Sequence, residues 1–154
     1  MSNREIVTSD MARGVAQACL CLHVQRAARA LGRYFDDVFR PVGLTSGQFS
    51  LMMSLNRPSA PTITETADFL AMDRTTLTAA LKALQRRNLV VVSSDAADKR
   101  VKHIDLTASG RAVLAKAYAL WTEAHGEIEA RVSPSGAGPL RRELKHLAEN
   151  LAKK

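Results

Sequence analysis

The stretch that decides the fold runs from Met72 to Leu106, where residues 72–89 read MDRTTLTAALKALQRRNL and residues 90–106 read VVVSSDAADKRVKHIDL. The first half predicts an amphipathic helix, because Asp73 is a favourable N-cap and Met72 can pack on Leu77 in the first turns. Its apolar residues recur at the spacing of one buried helical face: Leu77, Ala80, Leu81 and Leu84. The second half predicts a two-stranded hairpin with a charged tip.

The opposite face of this helix is small, hydroxylated and basic. At about 100° per residue it carries Thr75, Thr78, Ala79, Lys82 and Arg86, with no acid among them. A merely solvated face usually mixes Glu with Lys, whereas short threonine side chains let a polynucleotide backbone come close. The face is therefore typical of a helix that enters a nucleic-acid groove.

The hairpin extends the same positive surface. Between Asp73 and His103 there are seven Lys or Arg residues against three acids, a net +4 in a chain whose formal net charge is +7. Such charge on a helix and an adjoining hairpin tip is expected of a duplex DNA binder. A sequence-independent architectural DNA-binding protein is an alternative, as is an interaction module that has lost DNA binding.

Length and composition fit a single domain. The chain has 154 residues, of which 46% are hydrophobic, enough for a packed core. It has no apolar run of about 18 residues and no apolar core of a secretion signal near its start. Its two cysteines, Cys19 and Cys21, are too few and too close for a disulfide framework. These features predict a cytoplasmic protein without a membrane partner.

Two shorter helices are predicted before Met72. Thr45 and Gln48 form the capping-box pattern that begins the first helix. Thr64 can cap the second, over residues 65–71, with residues 62–64 as a short edge strand before it. A tight turn then leads into the basic helix, and this order predicts a helix-turn-helix whose second helix enters the groove.

Long helices are predicted at both ends of the chain. Apolar steps of three and four residues predict one uninterrupted helix over residues 15–39, of about six to seven turns. A helix from Thr107 to about Val132 and a last leucine-rich helix after residue 138 follow the hairpin. We expect residues 15–40 and 108–152 to pair two chains about a two-fold axis, and packing within one chain is the alternative.

The hairpin and the residues after it resemble those of the MarR (multiple antibiotic resistance regulator) family. The resemblance lies in the tip motif D-x-x-D-K-R, which ends at Arg100, and in L-T-x-x-G, which ends at Gly110 and opens a long helix. It extends in order and spacing from about Gln17 to Leu151. It implies a mainly α, winged helix-turn-helix fold with a DNA-binding part over residues 45–106. It also implies a homodimeric, sequence-specific repressor that binds an inverted-repeat operator and is not an enzyme.

The resemblance also assigns roles to the wing. In the family an arginine of the wing reaches the minor groove and an aspartate orients it, and these roles fall to Arg100 and Asp98. The chain departs from the family pattern at Ala97, where an arginine is common.

The residues expected to contact DNA lie on the basic helix, on the wing and at one helix start. Thr75, Thr78 and Lys82 are expected to meet base edges or nearby phosphates, and Arg74 and Arg86 mainly phosphates. The helix N-terminus at Ser46 offers a further phosphate site. The full set is Ser46, Arg74, Thr75, Thr76, Thr78, Lys82, Arg86, Asp98, Lys99 and Arg100.

Cys19 and Cys21 admit two interpretations. They are either small buried hydrophobic residues, the usual fate of free cysteine, or redox sensors in a segment without acids. On one helix their side chains point about 200° apart and cannot bond to each other. By resemblance Cys21 is in register with the peroxide-sensing cysteine of organic-hydroperoxide-resistance regulators, but Gln25 and Phe35 stand where those proteins have tyrosines that bond it.

The sequence shows no catalytic, metal-binding or cofactor-binding constellation. Cys19, Cys21 and His23 cannot all face one ion on an intact helix, and no phosphate loop or paired carboxylates can be assembled. No metal and no cofactor are therefore expected. The resemblance implies a small aromatic or phenolic ligand in the cleft between the end helices and the head.

Overall fold

The computed structural model describes residues 6–152. The helices of this part of the chain are α1 (Ser9–Ala18), α2 (Leu20–Phe39), α3 (Ser46–Leu55), α4 (Ile63–Phe69), α5 (Arg74–Arg86), α6 (Ala108–Glu129) and α7 (Ala137–Ala152). The strands β1 (Val90–Ser94) and β2 (Lys102–Leu106) pair antiparallel, with Val90 opposite Leu106 and Ser94 opposite Lys102. This architecture confirms the predicted mainly α, winged helix-turn-helix fold.

The core lies where α3, α4, α5 and the hairpin close around one apolar cluster. Residues exposed by no more than 2% include Leu51, Met52, Leu55, Leu77, Leu81, Leu84 and Ile104. Phe39 of α2 and Ala117 of α6 belong to the same cluster. The end helices are therefore packed directly onto the head, the unit from α3 to β2, through their own apolar residues.

Helix α5 begins where the sequence predicted. Asp73 is its N-cap, and the amide of Thr76 donates a hydrogen bond to Asp73 Oδ1 at 2.8 Å. The preceding turn is closed by Ala71, which adopts a left-handed φ of 51°. The connection between α4 and α5 is consequently short, as a helix-turn-helix requires.

The first helix of this motif begins two residues earlier than predicted. Thr62, not Thr64, is the N-cap of α4: Glu65 N donates to Thr62 Oγ1 at 3.1 Å and Thr62 N donates to Glu65 Oε2 at 2.7 Å. The predicted edge strand is reduced to a single bridge between Thr62 and His103. The reciprocal cap satisfies two otherwise unpaired amides, which outweighs the strand preference of residues 62–64.

The predicted uninterrupted helix over residues 15–39 is broken at Cys19. This residue has an extended backbone, with ψ of 103°, and its Sγ accepts the amide hydrogen of Leu22 at 3.4 Å. Helix α1 also starts earlier than predicted, at Ser9, with Thr8 as its cap. Apolar periodicity continues through the break, so the sequence pattern did not reveal it. Cys19 and Cys21 therefore do not share one continuous helix.

The L-T-x-x-G motif sets α6 against the start of the hairpin. Thr107 Oγ1 accepts the amide hydrogen of Gly110 at 2.9 Å and donates to the carbonyl of Asn88 at 2.7 Å. A Cβ added at Gly110 would lie 2.0 Å from the carbonyl oxygen of Leu89. Only glycine allows the helix to approach the backbone this closely.

The end helices leave apolar surface uncovered within the chain. None of the described residues of α1 and α7 is buried. Large apolar side chains exposed on the end helices are Met11, Val15, Leu20, Leu31, Tyr118, Leu144 and Leu151. No helix within residues 6–152 is long and apolar enough to span a membrane.

Candidate nucleic-acid interface

The outer face of α5 presents the predicted set of side chains together. Arg74, Thr75, Thr78, Ala79 and Lys82 line one shallow groove, and all of them are exposed. Thr78 Oγ1 donates its hydrogen to the carbonyl of Arg74 at 2.7 Å, so its oxygen can still accept a hydrogen bond and its methyl group can make apolar contacts. Arg86 is exposed in the last turn of the same helix. Short side chains flanked by cations are suited to a close approach by a phosphate backbone.

Thr76 has a different position from the other predicted contacts. Its hydroxyl donates to Asp73 Oδ2 at 2.6 Å, so its hydrogen is used by the helix cap. This bond and the one from the Thr76 amide lower the pKa of the Asp73 carboxyl. The geometry therefore gives Thr76 a capping role at the start of α5 rather than a contact through its hydroxyl proton.

The predicted phosphate site at Ser46 is already occupied by a side chain. The amide of Ser46 donates to Asp36 Oδ1 at 2.7 Å, and Thr45 and Gln48 complete the predicted capping box of α3. The Asp36 carboxylate thus takes the anion position at this helix N-terminus. A phosphate could bind the Ser46 amide only by displacing it.

The tip of the wing holds Arg100 in a fork with Asp98. Arg100 Nε lies 3.1 Å from Asp98 Oδ1 and Nη2 lies 3.0 Å from Oδ2, while the backbone amide of Arg100 also donates to Oδ1. The Arg100 side chain is 91% exposed. The side-chain bond from Arg100 lowers the pKa of Asp98, and the Asp98 carboxylate raises that of Arg100. A bidentate pair fixes the guanidinium plane while leaving its other donors directed outward, next to exposed Lys99.

His103, which lies on β2 close to the tip of the wing, was not predicted as a site residue. Its Nε2 lies 3.0 Å from Asp95 Oδ2 and its Nδ1 lies 3.0 Å from the carbonyl oxygen of Ala60. The hydrogen bond to Asp95 raises the pKa of His103 above its ordinary value, and the hydrogen bond to Ala60 raises it further by a smaller amount. The contact to Ala60 joins residues 43 positions apart, so no local pattern signals it.

Neither cysteine is buried within the chain. Cys21 is exposed and its Sγ accepts a hydrogen bond from Gln25 Nε2 at 3.2 Å, while half-buried Cys19 caps α2. The interpretation of both as buried hydrophobic residues is therefore wrong for the chain by itself. Within residues 6–152 no three His, Cys, Asp or Glu side chains are grouped closely enough to hold a metal.

An aromatic pocket lies between the head and α6. A cavity of about 540 Å³ is lined by residues of α3, α4 and α6, including Phe49, Phe69 and Trp121. A neighbouring cavity of about 400 Å³ shares Tyr118 with it and adds Arg111. Arg111 is held by Asp105, with Nη2 to Oδ1 at 2.7 Å. The two cavities together offer aromatic walls with a cation at one end.

The comparison with known proteins agrees with this geometry. Residues 44–102 match the sequence model of the MarR family. The chain is 39% identical to the transcriptional regulator MosR of M. tuberculosis, in a crystal structure with DNA, with a TM-score of 0.80 over 87% of this chain and 96% of that chain. The chain belongs to the MarR family. No curated protein matches its sequence.

Other members of the family support the same assignment. The repressor CouR, bound to a 23-mer DNA duplex, is 29% identical, with a TM-score of 0.70 over 91% of this chain and 96% of that chain. MarR of E. coli, in a complex with operator DNA, is 22% identical with a TM-score of 0.75 over 86% of this chain and 96% of that chain, and shares the fold. MosR is a transcriptional regulator and CouR is a transcriptional repressor.

Proposed function

We propose that this MarR-family chain is a homodimeric, sequence-specific transcriptional repressor that binds an inverted-repeat DNA operator. The observation that carries the proposal is the exposed groove of α5 from Arg74 to Lys82, flanked on the same head by the Arg100 fork. MosR and CouR, which are crystallised with DNA, share this architecture. The groove presents hydroxyl and ammonium groups for the major groove, and the wing presents a guanidinium for the minor groove.

Each contact has a role that follows from its chemistry. Thr75, Thr78 and Lys82 meet base edges or nearby phosphates, because they lie in the middle of the exposed helical face. Arg74 and Arg86 contact phosphates at the two ends of α5, where long side chains reach the flanking backbone. Lys99 contacts a phosphate beside the groove that Arg100 enters.

The dimer is formed by the end helices, residues 15–40 and 108–152. Support comes from the uncovered apolar residues of α1 and α7 and from a cavity of about 350 Å³ between α2, the end of α6 and α7, lined in part by Leu31, Val132 and Leu140. A second copy that covers this surface would bury it without any change in the head. Two α5 helices would then reach successive major grooves, about 34 Å apart.

The first test is a titration of the purified protein against duplexes selected from random sequence. Fluorescence anisotropy is expected to give two chains per duplex, and an affinity for the selected site at least about 10³-fold above that for random DNA. The logarithm of the affinity should fall linearly with the logarithm of the salt concentration. Equal binding to random duplexes would support the architectural alternative. A monomer at micromolar concentration would contradict the dimer.

The aromatic pocket between α3, α4 and α6 is proposed as the site of a small aromatic or phenolic acid. CouR of Rhodococcus jostii RHA1, a structural neighbour, is crystallised with p-coumaroyl-CoA. In this chain Phe49 and Trp121 can stack on a ring, and Arg111, which lines the neighbouring cavity that shares Tyr118, can pair with a carboxylate that extends there. A ring between the head and α6 would change the spacing of the two heads and release DNA.

A thiol signal is a second candidate, favoured by the exposure of Cys21. The sulfur of Cys21 accepts a hydrogen bond from Gln25 and is open to solvent, so an organic hydroperoxide can reach it and oxidise it to a sulfenic acid, with an alcohol as the second product. The backbone break at Cys19 lies two residues away, so a new polar group at Cys21 would act where α1 meets α2.

One release experiment separates these two signals. A preformed protein–DNA complex is challenged with salicylate or with cumene hydroperoxide, using the wild-type chain and Cys21→Ser. We expect salicylate to release DNA from both proteins with a change in Trp121 fluorescence, and the hydroperoxide to release DNA from the wild type alone. Hydroperoxide release that persists in the variant would make Cys21 structural, and failure of a panel of aromatic acids would contradict the pocket assignment.

A further inference from the structure

His103 forms a bridge between the wing and the helix-turn-helix. It lies on β2, between Asp95 in the turn that follows β1 and Ala60 in the loop that precedes α4, with 3.0 Å to each partner. Its side chain is 29% exposed. Both partners are acceptors, because a carbonyl oxygen and an ionised carboxylate have no hydrogen to donate. A neutral imidazole carries one N–H and can make only one of these bonds, so both form together only in the imidazolium.

On the wing side, the bridge leads to the Arg100 fork. Asp95 Oδ1 accepts the amide hydrogens of Ala97 and Asp98, at 2.8 Å and 3.0 Å, and so holds the turn in shape. The carboxylate of Asp98 then holds the guanidinium of Arg100. Asp95 therefore supports the backbone of the residue whose carboxylate holds the guanidinium.

On the other side, the bridge leads to the first helix of the motif. The carbonyl of Pro61, next to Ala60, accepts the amide hydrogen of Ile104 at 2.9 Å. Thr62 follows directly and caps α4. His103 thus joins the backbone that starts α4 to the turn that carries the fork.

We propose that His103 is the positioning residue that sets the wing against the helix-turn-helix, and that its protonation makes DNA binding depend on pH. This inference rests on the proposed function, because DNA affinity is the measurement that reports the position of the wing. At a pH below the pKa of His103, the imidazolium makes both hydrogen bonds. Above it one bond is lost, and the wing is no longer held to the head by this side chain.

The charges around His103 favour the imidazolium. Asp95 faces it from the wing turn and Glu65 from α4, and both raise the pKa of His103. Arg57 acts on Glu65, and the neighbouring Lys102 directs its ammonium to Ser94 Oγ at 2.6 Å. The pKa of His103 in the folded protein lies above its unfolded value of about 6.5. The stabilisation that the charged imidazole supplies is therefore complete below about pH 6.5. It is lost as the pH rises through the folded pKa.

The test measures duplex affinity between about pH 5.5 and pH 8.5 at constant ionic strength. The wild type is expected to bind about tenfold more weakly at the upper end, the order of one charge-assisted contact. His103→Gln should bind weakly throughout, with a flat profile. His146→Gln is the matched control, because His146 is exposed on α7 and helical spacing places it away from the apolar stripe of Leu140, Leu144 and Leu147 that is proposed for the dimer; it should follow the wild type.

A second variant distinguishes positioning from a direct phosphate contact by His103. In an Arg100→Ala background the pH dependence should disappear, because the group that the bridge positions is gone. A pH dependence that persists in this background would overturn the positioning role. A wild type that binds no duplex at any pH would contradict the proposed function, whereas equal profiles for wild type and His103→Gln would contradict only this inference.

An NMR titration of the imidazole signals tests the bridge without DNA. The pKa of His103 is expected to lie above the ordinary histidine value in the wild type and to fall in Asp95→Asn, whose amide oxygen still accepts the turn hydrogen bonds. An ordinary or lowered pKa in the wild type would overturn the inference even if His103→Gln failed to fold.

Discussion

Gly110→Ala is expected to leave the chain unfolded, or to lower its free energy of unfolding by at least about 3 kcal/mol. The new Cβ would lie 2.0 Å from the carbonyl oxygen of Leu89 and 2.9 Å from its carbonyl carbon. These are backbone atoms that cannot rotate away, so α6 would have to separate from the start of the hairpin. That movement would also break the bonds from the hydroxyls of Thr107 and Ser109 to the carbonyl of Asn88. Urea unfolding followed by circular dichroism measures the loss.

Gly126→Ala is the matched control for this substitution. Gly126 lies on the same helix, and a Cβ there would meet nothing within 4 Å. Removing a glycine from a helix interior should stabilise the protein by up to about 1 kcal/mol. Equal unfolding midpoints for the two variants would show that the close approach at Leu89 does not exist in solution.

Arg100→Ala is expected to weaken binding to the selected duplex roughly 10- to 100-fold, with little change in folding stability. The side chain is 91% exposed and its contacts within the chain are to Asp98, so its removal disturbs no packing. The slope of log affinity against log salt should fall by about 1, because the protein loses one cation that lies between the two phosphate strands of the minor groove. Anisotropy at several salt concentrations measures both quantities.

Two further variants show whether the geometry or the charge of the fork matters. Arg142→Ala removes an equal charge from the exposed face of α7 opposite Leu140 and Leu144, so it spares the proposed dimer surface and should bind nearly as well as the wild type. Asp98→Asn removes a negative charge, which by simple attraction would strengthen binding to DNA. We expect it to weaken binding instead, because the bidentate hold on Arg100 is lost. Tighter binding by Asp98→Asn would refute the orienting role of that carboxylate.

Local signals predicted much of the fold. The caps at Asp73, Thr45 and Thr107 were expected from their own residue types and from neighbours within a few positions, and each forms as predicted. The buried stripe of α5 was predicted for the same reason, since helical periodicity places Leu77 and Leu81 on one face. The start of α4 was misplaced because two threonines competed for the cap and only the reciprocal bond with Glu65 decided between them.

The candidate site was partly visible in the sequence as well. The exposed face of α5 and the Arg100 fork depend on residues close together in the chain, so spacing and family resemblance could indicate them. The Asp36 carboxylate at the amide of Ser46 joins residues ten positions apart on two different helices. No periodicity or motif predicts such a contact, and it alters the expected role of Ser46.

By itself, then, the sequence determined the order of the elements, the basic face of α5 and the charged tip of the wing, because these follow from neighbours within a few residues. Only the tertiary structure decided that Cys19 interrupts the first helix, that Gly110 lies against Leu89 and that His103 joins the wing to Ala60. The physical reason is that close approach and hydrogen-bond pairing between distant segments depend on how the whole core packs. The pattern of side chains along the sequence does not indicate the distances between such segments.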